Sequence, residues 1–225
     1  MVEPRLMKPS TAAVDVQAVT DGKKLSFRLR WADASRDDLP GSARFADACA
    51  VQLPGKSGQD VPNPQMGEPG KPVQITYWSA FWQATVDGRP DNINAIYPGA
   101  RVDHYPFEAA PLAPGSAAQK AMAERYAPAR ALGNHMSGPR AQPVQDLLAE
   151  GPGTLHPSPE SVSSGGGRYD GQGWSVVLVR PLPAGLGSTG GLSQVAVAVW
   201  KGENSEVGSR KMRSAWIPLS VEGLK

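Results

Sequence analysis

Few side chains in this sequence have the spacing that catalysis or metal binding needs. The three histidines, His104, His135 and His156, stand apart from one another and from Cys49, and none has the separation of a paired metal ligand. The carboxylates are scattered, and Asp37-Asp38 reads as turn chemistry and not as an acid–base pair. Gly165-Gly166-Gly167 lacks the spacing and the following helix of a phosphate-binding loop. The single Cys49 excludes an internal disulfide, a multi-cysteine zinc site, an iron–sulfur cluster and a Cys-x-x-Cys-His attachment for covalent haem. It sits in the apolar run Ala46-Asp47-Ala48-Cys49-Ala50-Val51, the setting of a buried structural thiol. Any cofactor must therefore be held without thioether bonds to cysteine.

The elements that would position such a site are mainly strands. Leu25, Phe27, Leu29 and Trp31 alternate with Ser26, Arg28 and Arg30, the period of a strand with one buried face. Asp21-Gly22 is a tight-turn signal, so the preceding segment 14–19 should pair with it as an antiparallel hairpin. Further strands are expected at 44–53, 73–85, 174–182, 194–200 and 213–222. Between these β-rich ends, 87–173 is crowded with Pro and Gly, with helical character at 116–132, capped by Ser116, and at 144–150. Ser163-Ser164-Gly165-Gly166-Gly167 reads as a flexible link back into the sheet. The expected fold is all-β, a single antiparallel β-sandwich domain over 1–225 with a helical, loop-rich insertion at about 87–167.

The charge balance, 23 Lys plus Arg against 21 Asp plus Glu, gives no basic field for a nucleic acid or an anionic membrane. No run approaches the ~20 apolar residues of a membrane span. Met1-Val2-Glu3-Pro4 opens neither a signal nor a transit peptide, which fits a mature chain with an added start residue.

Several local sequences, in a shared order, resemble the haem-binding γ subunit of ethylbenzene dehydrogenase and the corresponding subunits of dimethylsulfide dehydrogenase, chlorate reductase and selenate reductase. They are Leu29-Arg30-Trp31-Ala32-Asp33, the run from Phe45 to Pro54, Pro64-Gln65-Met66-Gly67-Glu68-Pro69, Gly171 to Val177, Val195 to Gly202, and Gly208 to Trp216. The similarity covers both β-rich ends and is weak between about 87 and 167. The resemblance implies one non-covalent haem b with Met66 and Lys211 as its axial iron ligands. It implies a non-catalytic electron-transfer subunit in the periplasm, in a heterotrimer with a molybdopterin-containing catalytic subunit and an iron–sulfur subunit. A soluble cytochrome or similar redox partner would exchange electrons with it.

The residue types bear on these roles. Met66 lies in a Pro- and Gly-rich loop and not in an apolar stripe, though core packing is the usual work of Met. Most lysines are solvated charges, and Lys201 or Lys71 could be confused with Lys211. An amine ligand must be neutral, at a cost of roughly 4–5 kcal/mol at pH 7, so it requires burial. Arg210 and Arg213 flank Lys211 and could pair with haem propionates, although solvated surface is the commoner state of an arginine. Trp78, with Tyr77, Phe81 and Trp82, offers apolar surface next to the Met66 loop. Two other readings stay open: a carbohydrate-binding β-sandwich whose tryptophans stack on sugars, and a structural subunit that has lost its haem.

Overall fold

The computed structural model describes residues 6, 8, 10–56, 58, 60–90, 92–101, 112–113, 115–134, 136–138, 140–186 and 191–222. His104 and His135 lie outside the described residues. The chain forms two compact units, one of residues 1–88 and 141–225, the other of 89–140.

The first unit is an antiparallel sandwich. β1 (Asp15–Thr20) and β2 (Lys24–Ala32) form the expected hairpin, with Gly22 at φ +84° in the turn. β3 (Ala48–Pro54), β4 (Val73–Ser79), β5 (Val144–Ala149), β6 (His156–Pro157), β7 (Ser164–Tyr169), β8 (Gly173–Pro181), β9 (Leu192–Trp200), β10 (Met212–Arg213) and β11 (Ile217–Ser220) follow. One sheet runs β1-β2-β8-β7 and the other β10-β9-β3-β4-β5-β6, with β11 also on β9. Alternation supplies the core between them. Leu25, Phe27, Leu29 and Trp31 of β2 and Trp174, Val176 and Leu178 of β8 meet Cys49, Val51 and Leu53 of β3, Trp78 of β4 and Val195, Val197 and Val199 of β9.

Three expectations change here. The segment 144–150 is a strand: Val144 faces the inter-sheet core while Leu147 and Ala149 pack on the opposite face, so apolar residues on both faces imitate a helical spacing. The strand expected to reach residue 85 stops at Ser79 and turns into α1 (Ala80–Val86). Gln83 holds that helix in place, for its side-chain carbonyl accepts from the Trp78 indole at 3.0 Å and from the Gly167 amide at 2.8 Å. The glycine-rich link is strand β7, because a Cβ at Gly167 would overlap the Trp78 indole and one at Gly165 would overlap the Val177 carbonyl.

The second unit carries α2 (Ile93–Ile96), α3 (Ala117–Tyr126) and α4 (Pro128–Ala131). Ser116 caps α3 as expected, accepting from the Gln119 amide at 3.2 Å. No helix among the described residues is long and apolar enough to cross a membrane.

Candidate cofactor site

The larger sheet has a second apolar face, turned away from the sandwich core. Val73 and Ile75 of β4, Ala50 of β3, and Leu147 and Ala149 of β5 form its buried floor, and Met66, Tyr77, Trp200 and Trp216 pack against it half-buried. Ala50 lies opposite Ala198 in the β3–β9 register, so the centre of the floor is made of small residues on which a flat, apolar ligand can lie closely. Tyr77 meets Trp200 edge-on at 5.5 Å and Trp82 at 5.4 Å, and burial pushes its hydroxyl pKa up.

Met66 reaches this face from the loop between β3 and β4. Its backbone is left-handed at φ +72°, followed by Gly67 at +84°. A methionine held there costs on the order of 1 kcal/mol and persists only where surrounding contacts fix it. Those contacts are present. The Met66 carbonyl accepts from the Gly151 amide at 2.8 Å, and the Gly67 amide donates to the Asn63 carbonyl at 2.9 Å. Gln52 donates its side-chain amide to the Pro64 carbonyl at 3.1 Å.

Lys211 arrives from the other edge. Arg213 pairs with Ala198 on the outer face, and Lys211, two residues earlier, shares that side; its Nζ lies 5.3 Å from the centre of the Trp200 ring. The amine donates to the Gly208 carbonyl at 3.0 Å, which also accepts from the Trp200 indole at 3.1 Å. One hydrogen bond joins the two approaches: Trp216, five residues after Lys211, donates its indole N–H to the Pro62 carbonyl at 2.7 Å.

The three lysines now separate. Lys71 is ion-paired with Asp60 at 2.6 Å and Glu68 at 3.1 Å, and the Asp60 carboxylate raises its pKa. Lys201 is buried; burial pulls its pKa down, but Glu203 at 2.7 Å and Asp33 at 3.6 Å outweigh this and leave it raised. Lys211 alone of the three moves the other way, lowered by burial and then by the charge of Arg213. Arg210, half-buried beside it, has a buried Nε with no acceptor among the described residues.

The fold therefore brings Met66 and Lys211 to the loops around one face, with Arg210 next to Lys211 in the chain. Trp78 is not on it. Strand alternation turns Trp78 into the inter-sheet core, fully buried against Trp174 at 4.9 Å and Trp31 at 6.4 Å, and presents Tyr77 to the Met66 side instead. Trp200 and Trp216 also belong to the face; the parity of β9 against the core residues Val195, Val197 and Val199 was the signal for the first. His156 lies exposed in β6, its Nδ1 2.9 Å from the Thr154 carbonyl.

These residues fit a haem: an apolar floor, a soft thioether, an amine with lowered proton affinity and no carboxylate partner among the described residues, and a guanidinium nitrogen with no acceptor among them. Comparison with known proteins identifies the family. The family model described as Ethylbenzene dehydrogenase matches residues 2–212, a span that includes both Met66 and Lys211. A respiratory nitrate reductase heme subunit of Haloferax mediterranei is 25% identical over 219 residues, covering 95% of this chain and 57% of the relative. The chlorate reductase subunit gamma of Ideonella dechloratans is 25% identical over 203 residues, covering 88% and 59%. The chain thus spans less than two thirds of the length of either relative.

Proposed function

Because the chain belongs to the ethylbenzene dehydrogenase family, we propose that it is the haem-carrying, non-catalytic electron-transfer subunit of a molybdenum oxidoreductase complex, holding one b-type haem non-covalently. The observation that carries this reading is the joined approach of the Met66 and Lys211 loops to one apolar face, with Lys211 the lysine whose proton affinity falls.

Met66 contributes a thioether, which favours reduced iron and raises the potential. Lys211 contributes an amine that burial has already biased toward its neutral, ligating form. Arg210, next to Lys211 in the chain, has an Nε donor that a propionate would satisfy, and Arg213 adds positive charge on the outer face. Val73, Ile75, Ala50, Leu147 and Ala149 exclude water from the floor. Held by Met66 and Lys211, a haem would supply one-electron transfer.

The partners of the reading are a molybdopterin-containing catalytic subunit, an iron–sulfur subunit and a soluble cytochrome or similar carrier, in the periplasm. The subunit names of the two relatives, one a heme subunit and one a gamma subunit, support the assembly. The carbohydrate-binding alternative keeps only Trp200 and Trp216, since Trp31, Trp78, Trp82 and Trp174 are buried and offer no platform to a sugar. The test is the absorption spectrum of purified protein. A Soret band with a type b pyridine haemochrome is expected, and a colourless protein that takes up no added haemin overturns the proposal in favour of a haem-free structural subunit.

A further inference from the structure

A different cavity, of about 300 Å³, opens where β4 begins and β5 and β8 end at one rim of the sandwich. Its chemistry is set by Arg180. This side chain follows Trp174, Val176 and Leu178 on the core-facing side of β8 and is 7% exposed. One guanidinium nitrogen, Nη2, donates to the Gln74 side-chain carbonyl, whereas Nε and Nη1 have no acceptor among the described residues.

A buried guanidinium cannot shed its charge, so it needs an anion or several acceptors. The adjacent carboxylate is already engaged. Asp146 accepts from the Thr76 hydroxyl at 2.9 Å through one oxygen, and from the Val162 and Ser163 amides at 3.0 and 2.9 Å through the other. Those bonds shape the segment that walls the cavity, and turning Asp146 toward Arg180 would break them. The field of Asp146 acts on Arg180 through space without satisfying its N–H groups.

We propose that Arg180 and this cavity form a binding site for a small monocarboxylate with an apolar tail. The guanidinium offers planar N–H donors that match a carboxylate. Leu148, Val162, Leu182 and Pro183 line the same space and suit a short hydrocarbon chain. With Asp146 and Glu160 in the lining against one arginine, a second negative charge is repelled, which disfavours sulfate and phosphate. The volume lies at the small end of the range of ligand pockets, too small for a polymer. The site is separate from the Met66 face, and its test does not need haem.

Titration of the full chain with butyrate, followed by calorimetry and by the Arg180 Nε–H resonance, tests this. Butyrate should bind and shift that resonance, while butyramide, of the same shape without the charge, and sulfate should do neither at equal ionic strength. Arg180→Gln should weaken butyrate binding about tenfold or more. Glu160→Gln, which removes one negative charge from the lining, should tighten butyrate binding and admit sulfate. An unmoved Nε–H resonance overturns the proposal even if Arg180→Gln fails to fold, as does equal binding of sulfate by the unaltered chain or unchanged affinity in Arg180→Gln.

Discussion

Methionine 66 occupies backbone space that L-residues avoid, and its carbonyl and its neighbours are pinned by hydrogen bonds to two other segments. That arrangement aims a side chain more than it packs one. Met66→Ala should keep the fold and weaken haem retention by at least ~10-fold, or lower the reduction potential, as followed by haem transfer to apomyoglobin and by redox titration. An unchanged potential and transfer rate would remove Met66 from the site. Lys211→Met should keep a low-spin spectrum but shift it and raise the potential, since a hard amine gives way to a thioether. Lys201→Met should leave the spectrum alone and instead cost about 3 kcal/mol in urea unfolding, because Asp33 loses its buried partner. The pH dependence of the Lys211 variant carries a sign. The folded chain holds Lys211 below its unfolded pKa, so keeping the amine protonated costs stability, and that cost is relieved as pH rises. Iron competes with the same proton, so the low-spin form of the native protein should be lost as pH falls, and Lys211→Met should abolish that transition.

At the scale of elements, β7 shows how a sheet can be built from residues that read as a linker. Gly167 faces the Trp78 ring, whereas a Cβ at Gly166 would meet only the Gln83 side-chain oxygen, at 3.4 Å. Gly167→Ala should therefore destabilise by about 1–3 kcal/mol, with Gly166→Ala near neutral, compared by urea denaturation. Equal effects would mean that glycine in β7 serves chain entropy alone. The same contrast explains which parts of the fold were legible. β2 was, because Leu25, Phe27, Leu29 and Trp31 all point one way and the intervening residues do not. β5 and β7 were not, since one is covered on both faces and the other has given up its side chains to make room for a tryptophan of the opposite sheet. Of the candidate site, Met66 and Lys211 were named because their local sequences resemble the family's, and both stand beside residues of the second apolar face, whereas Arg210 is placed only as the chain neighbour of Lys211. Choosing Tyr77 over Trp78 required the parity of β4, and the Trp216–Pro62 bond, across 154 positions, leaves no mark in the sequence.

Across the whole molecule, Asp47 joins parts that are far apart in the chain. One carboxylate oxygen accepts from the Gly202 amide at 2.9 Å, the other from the Trp174 indole at 2.9 Å and the Asp37 amide at 2.7 Å, so both sheets and two loops meet on it. Burial nevertheless raises its pKa from 3.8 to about 7. The raised value means that folding favours the protonated acid, so this stabilisation is full below about pH 4 and is lost as pH climbs through 7. Urea midpoints should fall from pH 4 to pH 8 by an amount equivalent to at most about 4 kcal/mol. Asp47→Asn should flatten that dependence, and a native protein with no such fall would show that the three N–H donors outweigh burial.

The order of the strands has a consequence for the life of the chain. β2 finds its neighbour in β8 and β3 finds one in β9, so one sheet is not complete until residue 181 has been synthesised and the pairing of β3 with β9 waits for residue 200. Lys211 emerges later still. On the proposed reading, a nascent chain that has made Met66 but not Lys211 lacks one of the two residues that would hold haem, so capture would follow the pairing of β3 with β9. A chain halted before residue 192 should accordingly stay colourless in the presence of haemin, and should not form a stable half-loaded intermediate.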